Sequence, residues 1–314
     1  MNQVYIGQIL AIDLIENADR IVQATVFCGT GGTWKGVVEK GQFQVGDICE
    51  VYLQDSILPE VERFNFLSRK RIKIAKFRGA YSECLIMPLS FEMGETFHVG
   101  DDITERMQVT KYEKPVPLNA NITGRFPSFI PKTDEPNFQR VPELVQALQG
   151  QAYYVTQKLD GTSITLYNQN SYHVCSRNYT LQDTGLFNAY KTFPEGYAIQ
   201  MEYVGPGIQS NPLELKARQG FVFNVYEIAT RRYLDRDALL AFTEQYGLSL
   251  VPTLQVANNF DADDNRLREM SVGAYPNGKP QEGIVIRPFR EQVVMTGEGE
   301  KRLSFKVVNA EYKG

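Results

Sequence analysis

Between Tyr5 and Pro88 the chain breaks into five short apolar or alternating runs: Tyr5–Ile12, Arg20–Cys28, Ile48–Leu53, Ile72–Phe77 and Cys84–Pro88. Turn-forming residues separate them, among them Glu16-Asn17-Ala18-Asp19, Gly29-Thr30-Gly31-Gly32 and Val45-Gly46-Asp47. Runs this short cannot build helices of useful length, and their period-two patterning predicts strands. Five such strands leave few arrangements without exposed sheet edges, and the simplest is a small antiparallel barrel.

The segment from Gly36 to Pro59, followed by Arg69 to Leu89, is similar to the OB-type domains of tRNA-binding modules. Residues 1–105 are therefore expected to form a five-stranded OB-fold domain. At 314 residues the chain exceeds what one core needs, so a second domain is expected. Residues 106–137 read as a linker and loop, since 108–137 holds five prolines and little apolar periodicity. Residues 138–314 read as a second, strand-rich domain. A helix capped by Asp235 is expected to run through Tyr246 and stop at Gly247, and a second to follow Asp263 and carry Leu267.

Composition excludes several chemistries. Only His98 and His173 are present, too few for a multi-histidine metal site. Cys28, Cys49, Cys84 and Cys175 form no CxxC pair and read as buried free thiols. The N-terminus lacks a basic region followed by an apolar run, and no 18-residue apolar stretch occurs, so a cytoplasmic chain with no membrane partner is expected. The net charge of −4 argues against a uniformly basic protein but not against local nucleic-acid binding. Residues 61–80 carry Arg63, Arg69, Lys70, Arg71, Lys73, Lys76 and Arg78 against the single acid Glu62, with Phe64, Phe66 and Phe77 among them. Cations attract phosphates and exposed rings stack on bases, so this stretch is a candidate nucleic-acid surface.

The segment Tyr153-Tyr154-Val155-Thr156-Gln157-Lys158-Leu159-Asp160-Gly161-Thr162-Ser163 ends an apolar strand in a lysine, followed by a glycine that permits a close turn. Alone, K-x-D-G is a weak signal. It is followed in order by Ser176-Arg177-Asn178, Met201 to Gln209, Phe223 to Ile228, Glu282 to Arg287 and Leu303 to Asn309, mostly short strands with a polar group at or near the end. This ordered series resembles the covalent nucleotidyltransferase superfamily of DNA ligases, RNA ligases and mRNA capping enzymes, over roughly residues 125–314. Within it the chain is most similar to RNA ligases: Glu202 to Gln209 and the Phe-Lys-x-x-Asn ending resemble the second RNA ligase of bacteriophage T4. An OB domain before the lysine, with only Asn309–Gly314 after the last motif, resembles the Naegleria type. DNA ligases usually place that domain after the last lysine motif, so domain order argues against a DNA ligase or a capping-type guanylyltransferase. A non-catalytic RNA-binding protein would be expected to lack Lys158, Glu202 or Glu282, and all three are present.

The resemblance implies an α+β chain whose second part is a nucleotidyltransferase (ATP-grasp-like ligase) domain of antiparallel sheets with flanking helices. It implies an ATP-dependent enzyme, acting as a monomer, that seals 3′-hydroxyl and 5′-phosphate ends of RNA, whether at a nicked duplex or at broken ends. Lys158 would attack the α-phosphorus of ATP, expel pyrophosphate and form a lysyl-adenylate. An amine at the ordinary lysine pKa of about 10.4 has no free lone pair at neutral pH. Lys306, Arg177 and a divalent metal are the candidate cations that favour the neutral form. Lys306 would also bear on the α-phosphate. Asp160, Glu202 and Glu282 supply hard oxygen ligands for Mg²⁺ or Mn²⁺, mostly through water. Gln157 adjoins the nucleophile in the expected nucleotide site. Tyr226 stands where the family stacks an aromatic ring on adenine, with Val285 against the opposite face. Glu202 would also meet the ribose hydroxyls, and Arg177 the sugar or acceptor phosphate. In the loop Phe126 to Arg140, Lys132 and Arg140 are expected to grip the β- and γ-phosphates. Two positions depart from the pattern: Val308 replaces the second lysine of the last phage-type motif, and Asn137 aligns with an arginine of the preceding loop.

Overall fold

The computed structural model describes residues 2–91, 95–113, 121–297 and 299–313. Residues 114–120, inside the expected linker, lie outside the described residues. The chain divides into two compact units, Met1–Glu113 with Gln139–Pro142, and Lys114–Phe138 with Glu143–Gly314.

In the first unit, β1 (Val4–Leu14), β2 (Ile21–Phe27), β3 (Thr33–Glu39), β4 (Ile48–Leu53) and β8 (Cys84–Pro88) form one curled sheet in the order β3-β2-β1-β4-β8. This is the five-stranded OB-type sheet, with a different third member from the one expected. Thr33–Glu39 supplies it, and Trp34, 1% exposed, anchors it in the core. Gly36 at the centre of β3 carries no side chain into the apolar alternation, which hides the strand in the sequence. The expected strand Ile72–Phe77 instead turns Ile72 and Ile74 inward; Ile72 exchanges backbone bonds with Asp55 and Ser56 at β5 (Ser56–Ile57), itself paired with β9 (Thr110–Lys111), and β6 (Ala75–Phe77) forms a hairpin with β7 (Ala80–Ser82). Two small cores flank the sheet, one around Trp34, Val26 and Val51 and the other around Phe64, Tyr52 and Ile6.

The second unit is built on two antiparallel sheets. The larger contains β10 (Ile122–Arg125), β12 (Thr162–Asn168), β13 (Tyr172–Cys175), β14 (Tyr179–Leu181), β15 (Tyr197–Val204), β16 (Gln219–Glu227) and β17 (Arg232–Tyr233), ordered β10-β14-β13-β12-β15-β16-β17. The smaller runs β18-β11-β19-β22, from β11 (Tyr153–Lys158), β18 (Thr253–Ala257), β19 (Gly283–Pro288) and β22 (Phe305–Val308), and β20 (Val293–Thr296) pairs with β21 (Gly299–Arg302). One face of the larger sheet buries Ile164, Leu166, Ile199, Met201 and Val222 against Leu239 and Phe242 of α2 (Arg236–Gln245).

The short helix α1 (Pro142–Leu148) precedes β11, and α2 and α3 (Asp264–Ser271) occupy the two expected helical stretches. Asp263 accepts from the Arg266 N–H at 2.8 Å and caps α3. Asp235 sits at the start of α2 but makes no capping bond; its carboxylate accepts from the Glu291 N–H at 2.6 Å, so the helix start is tied to a neighbouring loop. All four cysteines are free and buried, and burial pushes the Cys49 thiol up to about 12 and the Cys175 thiol up to about 11. Among the described residues, no helix is long and apolar enough to cross a membrane.

Candidate active site

The segment Lys158 to Thr162 is where the chain leaves the smaller sheet and enters the larger one: β11 ends at Lys158 and β12 begins at Thr162. Side chains alternate across a strand, so cross-strand partners share a face. Lys158 is opposite Gly283, which is opposite Val308; one row along, Thr156 is opposite Val285, which is opposite Lys306. Lys158, Val285, Lys306 and Val308 therefore share one face of the smaller sheet. Gly283, with φ of +149°, leaves a gap between Lys158 and Val308 that a side chain could not occupy, because a Cβ there would lie 2.2 Å from the Val307 carbonyl oxygen.

Three carboxylates surround the turn. Lys158 Nζ lies 2.5 Å from Glu282 Oε2, at the mouth of β19. Glu202, on β15 of the larger sheet, accepts from the Gly161 N–H at 2.9 Å. Asp160 is 7% exposed and accepts a hydrogen bond from the Tyr312 hydroxyl at 2.5 Å. Gly161 is required by proximity: a Cβ would lie 2.4 Å from the Tyr203 carbonyl oxygen and 2.5 Å from Val204. Among the described residues, no three Asp, Glu, His or Cys side chains converge closely enough to hold a metal ion directly. Separated hard-oxygen donors suit a Mg²⁺ or Mn²⁺ ion held through its water shell.

The loop 131–137 spans both sheets. The Pro131 carbonyl accepts from Gln200 at 2.7 Å, and the Thr133 and Ser163 hydroxyls are 2.7 Å apart, both partners on the larger sheet. Glu135 meets Arg287 at 2.6 Å, and the Pro136 carbonyl accepts from the Lys306 N–H at 2.8 Å, both on the smaller sheet. Asn137 forms a β-bridge with Lys306. Burial alone would raise the Glu135 carboxyl, but the Arg287 and Arg302 guanidiniums outweigh it and hold it below the ordinary range. Lys132 donates to Asn178 Oδ1 at 2.9 Å, and Arg177 is 2.5 Å from Asp134. Arg177 is thus offset by a loop carboxylate.

Three expected site residues are placed differently. Gln157 points to the opposite face from Lys158, where its amide donates to the Ala274 carbonyl at 3.1 Å and to Gln281 at 2.8 Å, so it supports the site from behind. Tyr226 is 4% exposed, packed with Ile130, Tyr167 and Ala198 and edge-on to Tyr233 at 5.1 Å; no open ring face remains. Arg140 belongs to the first unit, where it donates to the Asn2 carbonyl at 2.9 Å. The half-buried rings near the lysine turn are Phe221 and Phe223, which pack with Leu159, Val204 and Tyr275. Phe221 is cross-strand to Glu202, and a register shift opposite Phe223 lets both phenylalanines serve the same cluster. Phe223 also lines a cleft with Thr156, Val251 and Arg287. Tyr275 and Tyr312 were equally invisible to motif order, since neither stands in a recognisable spacing.

In the first unit, Phe64 is fully buried and takes no part in any surface. Arg63 pairs with buried Glu50 at 2.8 Å, Arg71 with Asp55 at 2.6 Å, and Lys70 donates to the Phe64 carbonyl at 2.9 Å. Lys73 is half-buried, while Lys76 projects over the Tyr81 ring at 5.1 Å. Phe66 and Phe77 are 63% and 46% exposed, and Arg69 and Arg78 are exposed without an ion-pair partner among the described residues.

An RNA ligase family model matches residues 151–308, and an OB-fold domain model matches residues 3–89. No curated protein matches the chain. Among solved structures, Naegleria gruberi RNA ligase with PPi superposes with a TM-score of 0.81 at 27% identity, covering 98% of this chain and 97% of that one. A variant of that ligase with ATP and Mn gives 0.80 at 27% identity, with the same coverage of 98% and 97%. A further variant with AMP and Mn gives 0.79 at 26% identity, again covering 98% and 97%.

Proposed function

Because the chain belongs to the RNA ligase family, we propose that it is an ATP-dependent ligase that joins a 3′-hydroxyl RNA end to a 5′-phosphate end. The observation that carries this reading is Lys158, held at the junction of two sheets beside Glu282 and on one face with Lys306. The relatives solved with ATP, AMP and Mn support ATP and a divalent metal as its cofactors.

Lys158 attacks the α-phosphorus of ATP, forming a phosphoramide bond as the bond to pyrophosphate breaks. Kept beside Glu282, its amine first releases a proton to solvent, since the lone pair makes the new bond. Lys306, in the adjacent row of the sheet, meets the negative charge that develops on the phosphate. Asp160, Glu202 and Glu282 would hold the metal through its waters, and that ion would supply charge neutralisation at the phosphates. Phe221 and Phe223 offer the ring faces for adenine, with Val285 on the lysine's own face. The adenylate then passes to the RNA 5′-phosphate, and the 3′-hydroxyl displaces AMP.

The OB-fold unit binds RNA through its exposed cations and rings, Arg69, Lys76 and Arg78 with Phe66 and Phe77. The tip of the β6–β7 hairpin, where Arg78 and Gly79 both adopt positive φ, presents Phe77 and Arg78 together. Lys70, Arg71 and Lys73 contribute at most a background positive potential, being held within the unit.

Sealing assays test the reading. Nicked duplexes and single-stranded breaks with RNA or DNA on each side of the break are offered with ATP and Mn²⁺. Sealing is expected where the 3′-hydroxyl strand is RNA, and joining of DNA ends alone would overturn the assignment.

A further inference from the structure

The Tyr275 hydroxyl donates to the Lys158 carbonyl at 3.1 Å and accepts the N–H groups of Asp160 at 3.3 Å and Glu282 at 3.1 Å. A phenol has one donor and two acceptor positions, so these three bonds use its full capacity. The three backbone groups come from the two segments that carry the Lys158–Glu282 ion pair. One oxygen atom therefore ties the strand end that presents the amine to the strand start that presents the carboxylate, beyond the last strand pair. Register pairing of Lys158 with Gly283 brings these segments together, and the Glu282 carbonyl accepts from the Asn309 N–H at 3.0 Å, but Asp160 and Glu282 both lie outside β11 and β19, so no β11–β19 ladder bond joins them to each other.

The ring is itself immobilised. Tyr275 is 2% exposed and packs with Leu159, Val204 and Val251. Its N–H donates to the Lys279 carbonyl at 2.8 Å, closing a turn. That turn is anchored by Asn277, which donates to the Pro212 carbonyl at 2.9 Å, and by Lys279, 2.8 Å from Glu214.

We propose that Tyr275 is a positioning residue for adenylyl transfer to Lys158, acting through its hydroxyl on the relative placement of the amine and Glu282. The proposal rests on the reading of Lys158 as the nucleophile. Tyr275 contacts no reacting atom; its effect is confined to the step in which the lysine attacks. The final step, in which an RNA 3′-hydroxyl displaces AMP from adenylylated RNA, makes no use of the lysine's lone pair.

Tyr275→Phe keeps the ring and removes the hydroxyl, leaving one carbonyl and two N–H groups without that partner. Lysyl-adenylate formation is measured in single-turnover reactions with α-labelled ATP, and sealing of pre-adenylylated RNA is measured on the same preparation. A misplacement of about 1 Å costs roughly 100-fold, so the first rate is expected to fall by about that factor while the ATP concentration for half-saturation stays within about 3-fold. Sealing of pre-adenylylated RNA is expected to change by less than about 5-fold. Asn277→Ala, which frees the turn without touching the hydroxyl's partners, is expected to give a smaller loss with the same selectivity. If wild-type protein forms no covalent adduct, the ligase reading itself fails. If the wild type is labelled and Tyr275→Phe is labelled at the same rate, the positioning role is overturned. Equal losses in both steps, in either variant, also overturn it, since they mark a general structural lesion; should Tyr275→Phe not fold, Asn277→Ala decides between the same outcomes.

Discussion

Lys158 Nζ and Glu282 Oε2 are 2.5 Å apart, although 124 residues separate them in the chain. Strand pairing makes that contact: β11 ends at Lys158 just where its neighbour β19 begins after Glu282. The carboxylate thus stands as a counter-charge to the amine where the two strands meet.

Glu282→Ala should lower the rate of lysyl-adenylate formation by on the order of 100-fold, because an unoriented amine loses its alignment with the α-phosphorus. Labelling kinetics with α-labelled ATP measure this directly. A rate within about 3-fold of wild type would show that the ion pair is incidental.

Phe223→Ala should raise the ATP concentration for half-maximal labelling by roughly 10-fold, the equivalent of about 1.4 kcal/mol of lost ring contact. Tyr226→Leu, which removes the ring, should leave it within about 3-fold, since the Tyr226 ring is enclosed by protein. The reverse pattern would return the stacking role to Tyr226.

Glu135 and Arg287 join the 131–137 loop to the smaller sheet from inside, with Arg287 2% exposed. Removing one partner of a buried pair leaves an uncompensated charge, so Glu135→Ala should cost about 3–5 kcal/mol of stability, read from thermal or denaturant unfolding. The pH dependence follows from the depressed carboxyl. Its stabilising contribution is present above the unfolded value near 4.5 and is lost as pH falls through the lower folded value. Glu135→Gln should therefore flatten the acid limb of the melting-temperature profile; an unchanged limb would contradict the assignment.

Phe77→Ala should weaken binding of a single-stranded RNA oligomer by roughly 1–3 kcal/mol if bases stack on that ring. Arg78→Ala should reduce the slope of log affinity against log salt by about 0.7, the value for one single-strand phosphate contact. Fluorescence anisotropy at several salt concentrations measures both. Unchanged affinity and slope would remove the hairpin tip from the RNA surface.

The order of motifs makes much of the candidate site legible, because Lys158, Glu202, Glu282 and Lys306 each sit at or near a strand end that apolar alternation marks. What alternation could not deliver was the choice of face. Gln157 lies next to Lys158 in sequence and on the opposite face of β11 in space, while Tyr226 is enclosed in a cluster of its own and Phe221 and Phe223 pack beside the lysine turn. In the OB unit, Gly36 hid a strand, whereas Ile72 and Ile74 mimicked one while serving as inward plugs. Tyr275 and Tyr312 act through single hydroxyl bonds to distant segments, and no local pattern encodes such contacts. The basic run at 61–80 was visible as charge, but its partition between structural pairs and exposed cations depends on Glu50 and Asp55, which tertiary contacts bring alongside.

The central claim is that Lys158 carries the adenylyl group. Incubation with α-labelled ATP and Mn²⁺, followed by denaturation and peptide mapping, should place one AMP on Lys158 and none on a Lys158→Ala variant that retains the wild-type melting behaviour. Label on another residue, or label that persists in Lys158→Ala, would contradict the account.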